Sequence, residues 1–276
     1  MDEPTLRLTT FLTIFGCMAL AQALAPRRPL RFGYRRWPAN LAIIVIDILL
    51  VRLLFPAGAV GAALWAEANE IGLFNVIDLP VSAEIAISVI VLDLIIYCQH
   101  LVFHAVPLLW RLHRVHHADC EIDVTTGLRF HPIEILLSML IKLSFVIVLG
   151  APAAAVLIFE IILNGMAMFN HGNIRLPKKL DALMRLLLVT PDVHRIHHSV
   201  IRSETDSNFG FNLSIWDRLF GTWQEQPELG HEKMTIGLEA TQQAPTHNLI
   251  YMLRLPFQGE LSQYPNSDQQ QEKHDV

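Results

Sequence analysis

The chain has 276 residues, 52% hydrophobic and only 17% charged, with a formal net charge of −5 at pH 7 and a mean hydropathy of +0.38. A soluble domain carries about a quarter charged residues, so this balance argues against an ordinary water-soluble domain and against a basic nucleic-acid binder. No P-loop, Rossmann glycine fingerprint or nucleic-acid module is present, so no nucleic acid is expected as a partner. In chain order, the apolar residues fall into four long runs. Leu6 to Ala25 holds one charge, Arg7, at its edge. Leu41 to Trp65 holds Asp47 and Arg52. Ala83 to Leu109 is interrupted by Glu84, Asp93, His100 and His104. Ile133 to Phe169 holds Glu134, Lys142 and Glu160 and is broken at Gly150-Ala151-Pro152. A spanning helix needs about 20 apolar residues. The first three runs suit one span each, and the fourth suits two short spans turning at Gly150–Pro152. A very apolar soluble bundle is the weaker reading, because soluble core helices seldom stay apolar all round for so long.

The charges between the runs set a topology. The first run starts Met1-Asp2-Glu3, and its basic cluster, Arg27, Arg28, Arg31, Arg35 and Arg36, follows it. That order suits a span with its C-terminal end in the cytoplasm rather than a signal peptide. The segment from Glu67 to Glu84 carries Glu67, Glu70, Asp78 and Glu84 without Lys or Arg, so it is expected outside. The third span then returns to the cytoplasm, and the hairpin goes out and back to a basic segment with Arg175, Lys178, Lys179, Arg185, Arg195 and Arg202. Cys17, Cys98 and Cys120 are expected to be unpaired. The polar stretch from about Gln258 to Val276 is expected to be disordered.

Histidine carries the chemistry. His113-Arg114-Val115-His116-His117 and His194-Arg195-Ile196-His197-His198 both read H-x-x-H-H, and His100-Leu101-Val102-Phe103-His104 reads H-x-x-x-H. Eight of the 13 histidines lie in these motifs, and two copies of H-x-x-H-H arise by chance in on the order of one chain in a thousand. Positions i, i+3 and i+4 of a helix share a face, so each triplet is expected to aim three imidazoles at one point. Neutral imidazole is the commonest metal ligand, and eight of them imply more than one ion. His131, at the foot of the hairpin, and His171, at its other foot, stand where they could complete a site. Thr190-Pro191-Asp192 reads as N-cap, N1 and acidic first turn for the second triplet. Asp192 and Asn208, with Asp119, Asp123 and Asp206, are candidates to support a ligand imidazole. His231, His247 and His274 lie in polar sequence without partners at ligand spacing and are expected at the surface. All-imidazole ligation suits Zn, Cu, Fe or Ni. H-E-x-x-H, the zinc-peptidase pattern, and the Glu-rich pattern of soluble di-iron bundles are both absent.

Taken together, the three histidine motifs on a four-span hydrophobic chain resemble the fatty acid hydroxylase/sterol desaturase superfamily. The resemblance runs from about Ala83 to Trp223. It includes Arg129-Phe130-His131-Pro132-Ile133-Glu134, Asn170-His171-Gly172-Asn173-Ile174-Arg175-Leu176-Pro177 and Trp216-Asp217-Arg218-Leu219-Phe220-Gly221-Thr222-Trp223. It implies an all-α integral membrane helical bundle of about four transmembrane helices with a cytoplasmic histidine-rich helical cap. It also implies a membrane di-iron oxygenase, with two iron ions (Fe2+) and O2 as co-substrate, hydroxylating or desaturating a lipid or sterol-like substrate drawn from the bilayer. Matched residue by residue, it makes His100, His104, His113, His116, His117, His194, His197 and His198 iron ligands, adds His171, and includes His131 in the same pattern. The chain has no flavin, haem or iron–sulfur motif, so electrons are expected from an external donor of ferredoxin, rubredoxin or cytochrome type, docked on Arg111, Arg114, Arg175, Lys178 and Lys179. The expected organisation is an N-terminal two-span region over 1–80, a catalytic histidine-box domain over 81–225 and a polar tail over 226–276. A membrane metal transporter or metal-binding protein is the alternative, with ligands spread along a path near mid-bilayer.

Overall fold

The computed structural model describes residues 2–259; His274 and most of the stretch expected to be disordered lie outside them. Within these residues the chain is helical, and strand-like pairing is limited to isolated bridges such as Pro26 with Ile174. Helix α1 (Glu3–Leu24) starts where the Asp2 carboxylate accepts from the Thr5 N–H at 3.1 Å. Leu8, Leu12, Leu20 and Leu24 are exposed along it, as suits a lipid-facing side, while Phe11, Phe15 and Met18 pack around Val124, Leu128 and Met168.

The second apolar run forms two helices, α2 (Trp37–Leu54) and α3 (Gly58–Ala68). Pro56 removes an N–H and pushes Phe55 out of helical conformation, so the helix ends there. Helix α4 (Val81–Ala105) stops ahead of Pro107, which then opens α5 (Pro107–His117) as a first-turn proline. The hairpin falls where the sequence puts it, as α6 (Pro132–Leu149) and α7 (Ala153–Asn170). Gly150 closes α6 at φ +63°. A Cβ on the facing Gly72 would lie 2.2 Å from the Gly150 nitrogen, so only glycine permits this contact of backbones. Short helices follow: α8 (Lys178–Met184), α9 (Pro191–His197), α10 (Arg202–Thr205), α11 (Ile215–Phe220), α12 (Gly230–Lys233) and α13 (Leu249–Arg254).

Among the described residues, five helical segments are long and apolar enough to cross a membrane: Glu3–Leu24, Gly33–Asn75, Val81–Ala105, Pro132–Leu149 and Ala153–Asn170. These are one segment for each of the first three apolar runs and the two arms of the hairpin, at 18 residues each. Helices α1 and α7 run parallel, pairing Arg7 with Glu160 at one level and Gln22 with Asn173 at another. The C-terminal ends of α1, α4 and α7 and the N-terminal ends of α2 and α6 thus gather at one end of the bundle, under the short helices. Residues 226–259 fold back onto this end: Met252 and Leu255 pack with Ile43, Val115 and Ala118. His231 is buried there beside Asp192, against the expectation of a surface residue, because this polar region is packed down; His247 is exposed. Cys17, Cys98 and Cys120 are free, as expected.

One short helix reaches up the bundle. The Asp93 carboxylate, midway along α4, accepts from the Trp216 indole at 2.8 Å and from the Leu213 N–H at 3.3 Å. Tyr97, a turn further on, stacks on Phe220 at 5.4 Å between ring centres. Helix α11 therefore lies against a spanning helix, which accounts for exposed Ile215, Leu219 and Phe220.

Candidate metal centre

Nine histidines meet at the capped end of the bundle. Helix α4 supplies His100 and His104 one turn apart, α5 supplies His113, His116 and His117 on its last turn, and α9 supplies His194 and His197 with His198 just past its end. His171 follows the last residue of α7. They sort into two groups, His100, His104, His113, His117 and His197 in one and His116, His171, His194 and His198 in the other. Within each group the ligand atoms lie within 4.8 Å of one another. The stacked rings of His117 and His198, 4.6 Å apart, join the groups.

Each H-x-x-H-H therefore divides between two points instead of aiming at one. A helix turns about 100° per residue, so positions i+3 and i+4 diverge by that angle although both neighbour position i. His113 and His117 go to the first group and His116 to the second; His197 goes to the first and His194 and His198 to the second. The same motif, used twice, contributes to both groups.

The surroundings orient the rings. Nδ1 of His100 meets the Phe209 carbonyl at 2.8 Å, that of His116 the Arg129 carbonyl at 3.2 Å, that of His171 the Ala167 carbonyl at 2.7 Å and that of His197 the Ser207 carbonyl at 2.8 Å. His104 Nδ1 faces Asp206 at 3.3 Å and His113 Nδ1 faces Glu134 at 2.6 Å. With a carbonyl or carboxylate accepting from Nδ1–H, the lone pair is left on Nε2, the tautomer a metal needs. The Nε2 atoms of His100, His104, His113 and His197 are buried without any partner. In the other group His171 Nε2 stands 3.0 Å from those of His116 and His194 and 3.2 Å from that of His198. Nitrogens about 2.0–2.1 Å from a common ion and at right angles would be spaced about 3 Å apart, so both groups suit metal ions. Burial holds the imidazoles neutral: it depresses His113 to about 3 and His171 to about 4, and takes His116, His117, His194, His197 and His198 well below the usual histidine range, helped by neighbouring imidazoles.

His131 stands apart from both groups. Its Nδ1 accepts from the Ile133 N–H at 3.2 Å, capping α6, and its Nε2 faces the Leu253 carbonyl at 3.3 Å. Asp192 is engaged by Arg27 at 3.1 Å and by Arg195. Asn208, at φ +51°, uses its side chain on the Val193 and Gln224 backbones. Both brace the second motif's helix instead of touching an imidazole of either group. Asp119 and Asp123 bind Arg36. Thr190 precedes α9 as read, but its hydroxyl donates to Asp181 at 2.6 Å and does not cap the helix. Glu134 was overlooked as a partner of His113.

A cavity of about 740 Å³ leads away from the site into the bundle. At one end it touches His100, His113, His116 and His194; at the other it reaches Arg7, Lys142 and Glu160, with apolar residues such as Ile44, Ile48, Ile96 and Leu163 between.

Residues 85–222 match the fatty acid hydroxylase family, and the chain belongs to it. Ornithine lipid hydroxylase OlsE of Rhizobium tropici is 29% identical over 148 residues, 54% of this chain and 44% of that protein. Alkylglycerol monooxygenase of Homo sapiens is 27% identical over 147 residues, covering 51% and 30% of the two chains, and that of Xenopus tropicalis 28% identical over 137 residues, covering 48% and 28%. The chain thus spans less than half the length of these relatives. No solved structure matches it.

Proposed function

We propose that this chain is a membrane-bound, O2-dependent oxidoreductase that hydroxylates, or desaturates, a lipid or sterol-like substrate at a histidine-ligated di-iron centre. The observation that carries the reading is the pair of buried groups of neutral imidazoles, one with its Nε2 atoms unpartnered and the other with its Nε2 atoms facing only one another, in a chain of this family. One iron would be held by His100, His104, His113, His117 and His197 and the other by His116, His171, His194 and His198. Bound iron supplies O2 activation and the oxidation of an unactivated C–H bond. In hydroxylation one oxygen atom enters the C–H bond and the other leaves as water, consuming two electrons and two protons.

The protein's own part is positioning and exclusion. The carbonyl and carboxylate partners fix each ring's rotation and tautomer, and complete burial keeps bulk water from the reacting end. The cavity admits an apolar chain to the site through the bundle. Electrons come from an external donor of ferredoxin, rubredoxin or cytochrome type. The exposed basic segment with Arg175, Lys178 and Lys179 is its docking face, since an acidic carrier is steered by such charge. Arg111 and Arg114 are occupied instead by carbonyls of Pro256, Leu255 and Gln258. The active site opens on the cytoplasmic side, following the basic residues. A transporter is disfavoured because the donors sit in two closed groups at one end of the bundle and not along a path.

The test is metal and product together. Protein purified anaerobically in mild detergent is expected to carry about two irons per chain. His116→Ala and His197→Ala, one from each group, are each expected to lose iron and to abolish O2-dependent oxidation of lipid. Full activity in both variants, or a single freely exchanging ion in the wild type, overturns the reading.

A further inference from the structure

The far end of the cavity is charged, although it lies within the spanning helices. Arg7 of α1 donates to Glu160 of α7 at 2.7 Å and to Glu3 at 2.8 Å, and Lys142 of α6 donates to the other oxygen of Glu160. Glu160 is thus shared by two cations, and Glu3, on the exposed rim, is the one further anion on Arg7 among the described residues. Arg7 has five N–H donors and Lys142 three; the contacts to Glu3 and Glu160 leave donors of both residues unused at the cavity wall. Charges in spanning segments are costly and are kept where they face the interior and serve a substrate or ion path. Here two cations from two helices meet on the buried Glu160, with Glu3 on the rim as a second carboxylate for Arg7, beside a cavity lined mainly by apolar side chains.

The cluster stands at a fixed depth from the chemistry. Glu134, on His113, and Lys142 are both on α6 and eight residues apart in sequence, so they are separated by about 12 Å of helix. Between these levels the wall is mostly apolar, with Gln99 and Ser138 bonded to each other at 2.6 Å and with Asp47 and Asn164 as further polar side chains on it. An amphiphile that fits this shape has an anionic head at Arg7 and Lys142 and a hydrocarbon chain running down to the imidazoles.

We infer that Arg7, Lys142 and Glu160 form a head-group subsite for an anionic acyl or alkyl lipid, a carboxylate or a phosphate, that enters head-away and presents a carbon remote from its head to the metal centre. The position of oxidation rests on the oxygenase reading above; the head-group subsite does not, and the two are tested separately.

Binding is measured first, without turnover, on full-length protein in detergent micelles, using dodecanoate, dodecyl phosphate and methyl dodecanoate. The wild type is expected to hold at least one anion tighter than the neutral ester by about tenfold, the worth of a charge-assisted hydrogen bond. Whichever of the two anions gains identifies the head chemistry. Lys142→Met and Arg7→Met are expected to remove that preference while leaving ester binding within about twofold, and Lys142→Arg to retain it. Retained iron content and thermal midpoint identify folded variants, and Lys142→Arg covers the case in which the methionine variant fails to fold. Equal binding of all three probes by the wild type, or an anion preference that survives both methionine variants, overturns the subsite. If lipid is oxidised, mass spectrometry is expected to find the new hydroxyl or double bond remote from the head; a product on the carbon next to the head overturns the orientation. Anion binding without oxidation of any lipid would sink the oxygenase reading and leave the subsite standing.

Discussion

Glu134 is a carboxylate buried in a span, 2.6 Å from His113 Nδ1, with its second oxygen unpartnered. It fixes the tautomer of one imidazole of the first group. Glu134→Gln keeps the shape and replaces one carboxyl oxygen by an amide NH2, and it is expected to reduce iron retention or turnover by about 10–100-fold, as loss of such outer partners does; metal analysis and lipid oxidation read it out. Gly127 leaves room for His171 of the second group. A Cβ there would lie 2.3 Å from the Ala167 carbonyl and 3.1 Å from His171 Nδ1, so Gly127→Ala is expected to displace His171 and cost about one of the two irons. Eight of the nine gathered histidines were readable as a set, because H-x-x-x-H and H-x-x-H-H spacings are helix-face patterns, and His171 was added by the resemblance alone. Their division between two groups was not, since it depends on how α5 and α9 are rotated against each other. Glu134 did carry a signal, a lone carboxylate at the start of an apolar run beside His131, but the run was read for its length and not for its charge.

At the scale of elements, the helices follow from apolar run length and from proline. Pro56 and Pro107 set breaks that hydropathy alone smooths over. The loop between α5 and α6 is organised by something no local pattern reports. Arg36, ahead of α2, is buried and holds Asp119 at 2.5 Å, Asp123 at 2.5 Å and Glu121 at 3.3 Å. Asp119 also accepts from Thr126 at 2.9 Å. The loop thereby stays over the site, and with it Arg129, whose carbonyl accepts from His116. These partners lie more than 80 residues from Arg36, and its reading as part of a positive-inside cluster missed the pairing. Arg36→Met deprives three buried carboxylates of the cation they share and is expected to cost about 3–5 kcal/mol, seen as a lower denaturation midpoint in detergent. Adding Asp123→Asn is expected to restore part of that loss, because one of the stranded charges is removed; no recovery would mean that Arg36 acts through packing alone.

For the molecule as a whole, burial of so many imidazoles couples stability to pH. Burial lowers His113 to about 3, and His171 and His231 to about 4, whereas an unfolded histidine titrates near 6.5. The unfolded chain therefore binds more protons below that value. Stability is complete above about pH 6.5 and is lost as pH falls toward the folded values, by about 1.4 kcal/mol per pH unit for each imidazole involved. Metal release follows the same direction, because ligation requires neutral rings. Thermal midpoints in detergent are expected to be level at neutral pH and to fall steeply between about pH 6 and 4, with iron leaving over that interval. His231 lies outside both groups, so His231→Asn is expected to make the decline shallower by one proton while iron content at neutral pH is unchanged. A wild-type midpoint that stays level down to about pH 4.5 would mean that the folded protein takes up these protons, and that its buried imidazoles titrate much closer to free histidine than their burial dictates.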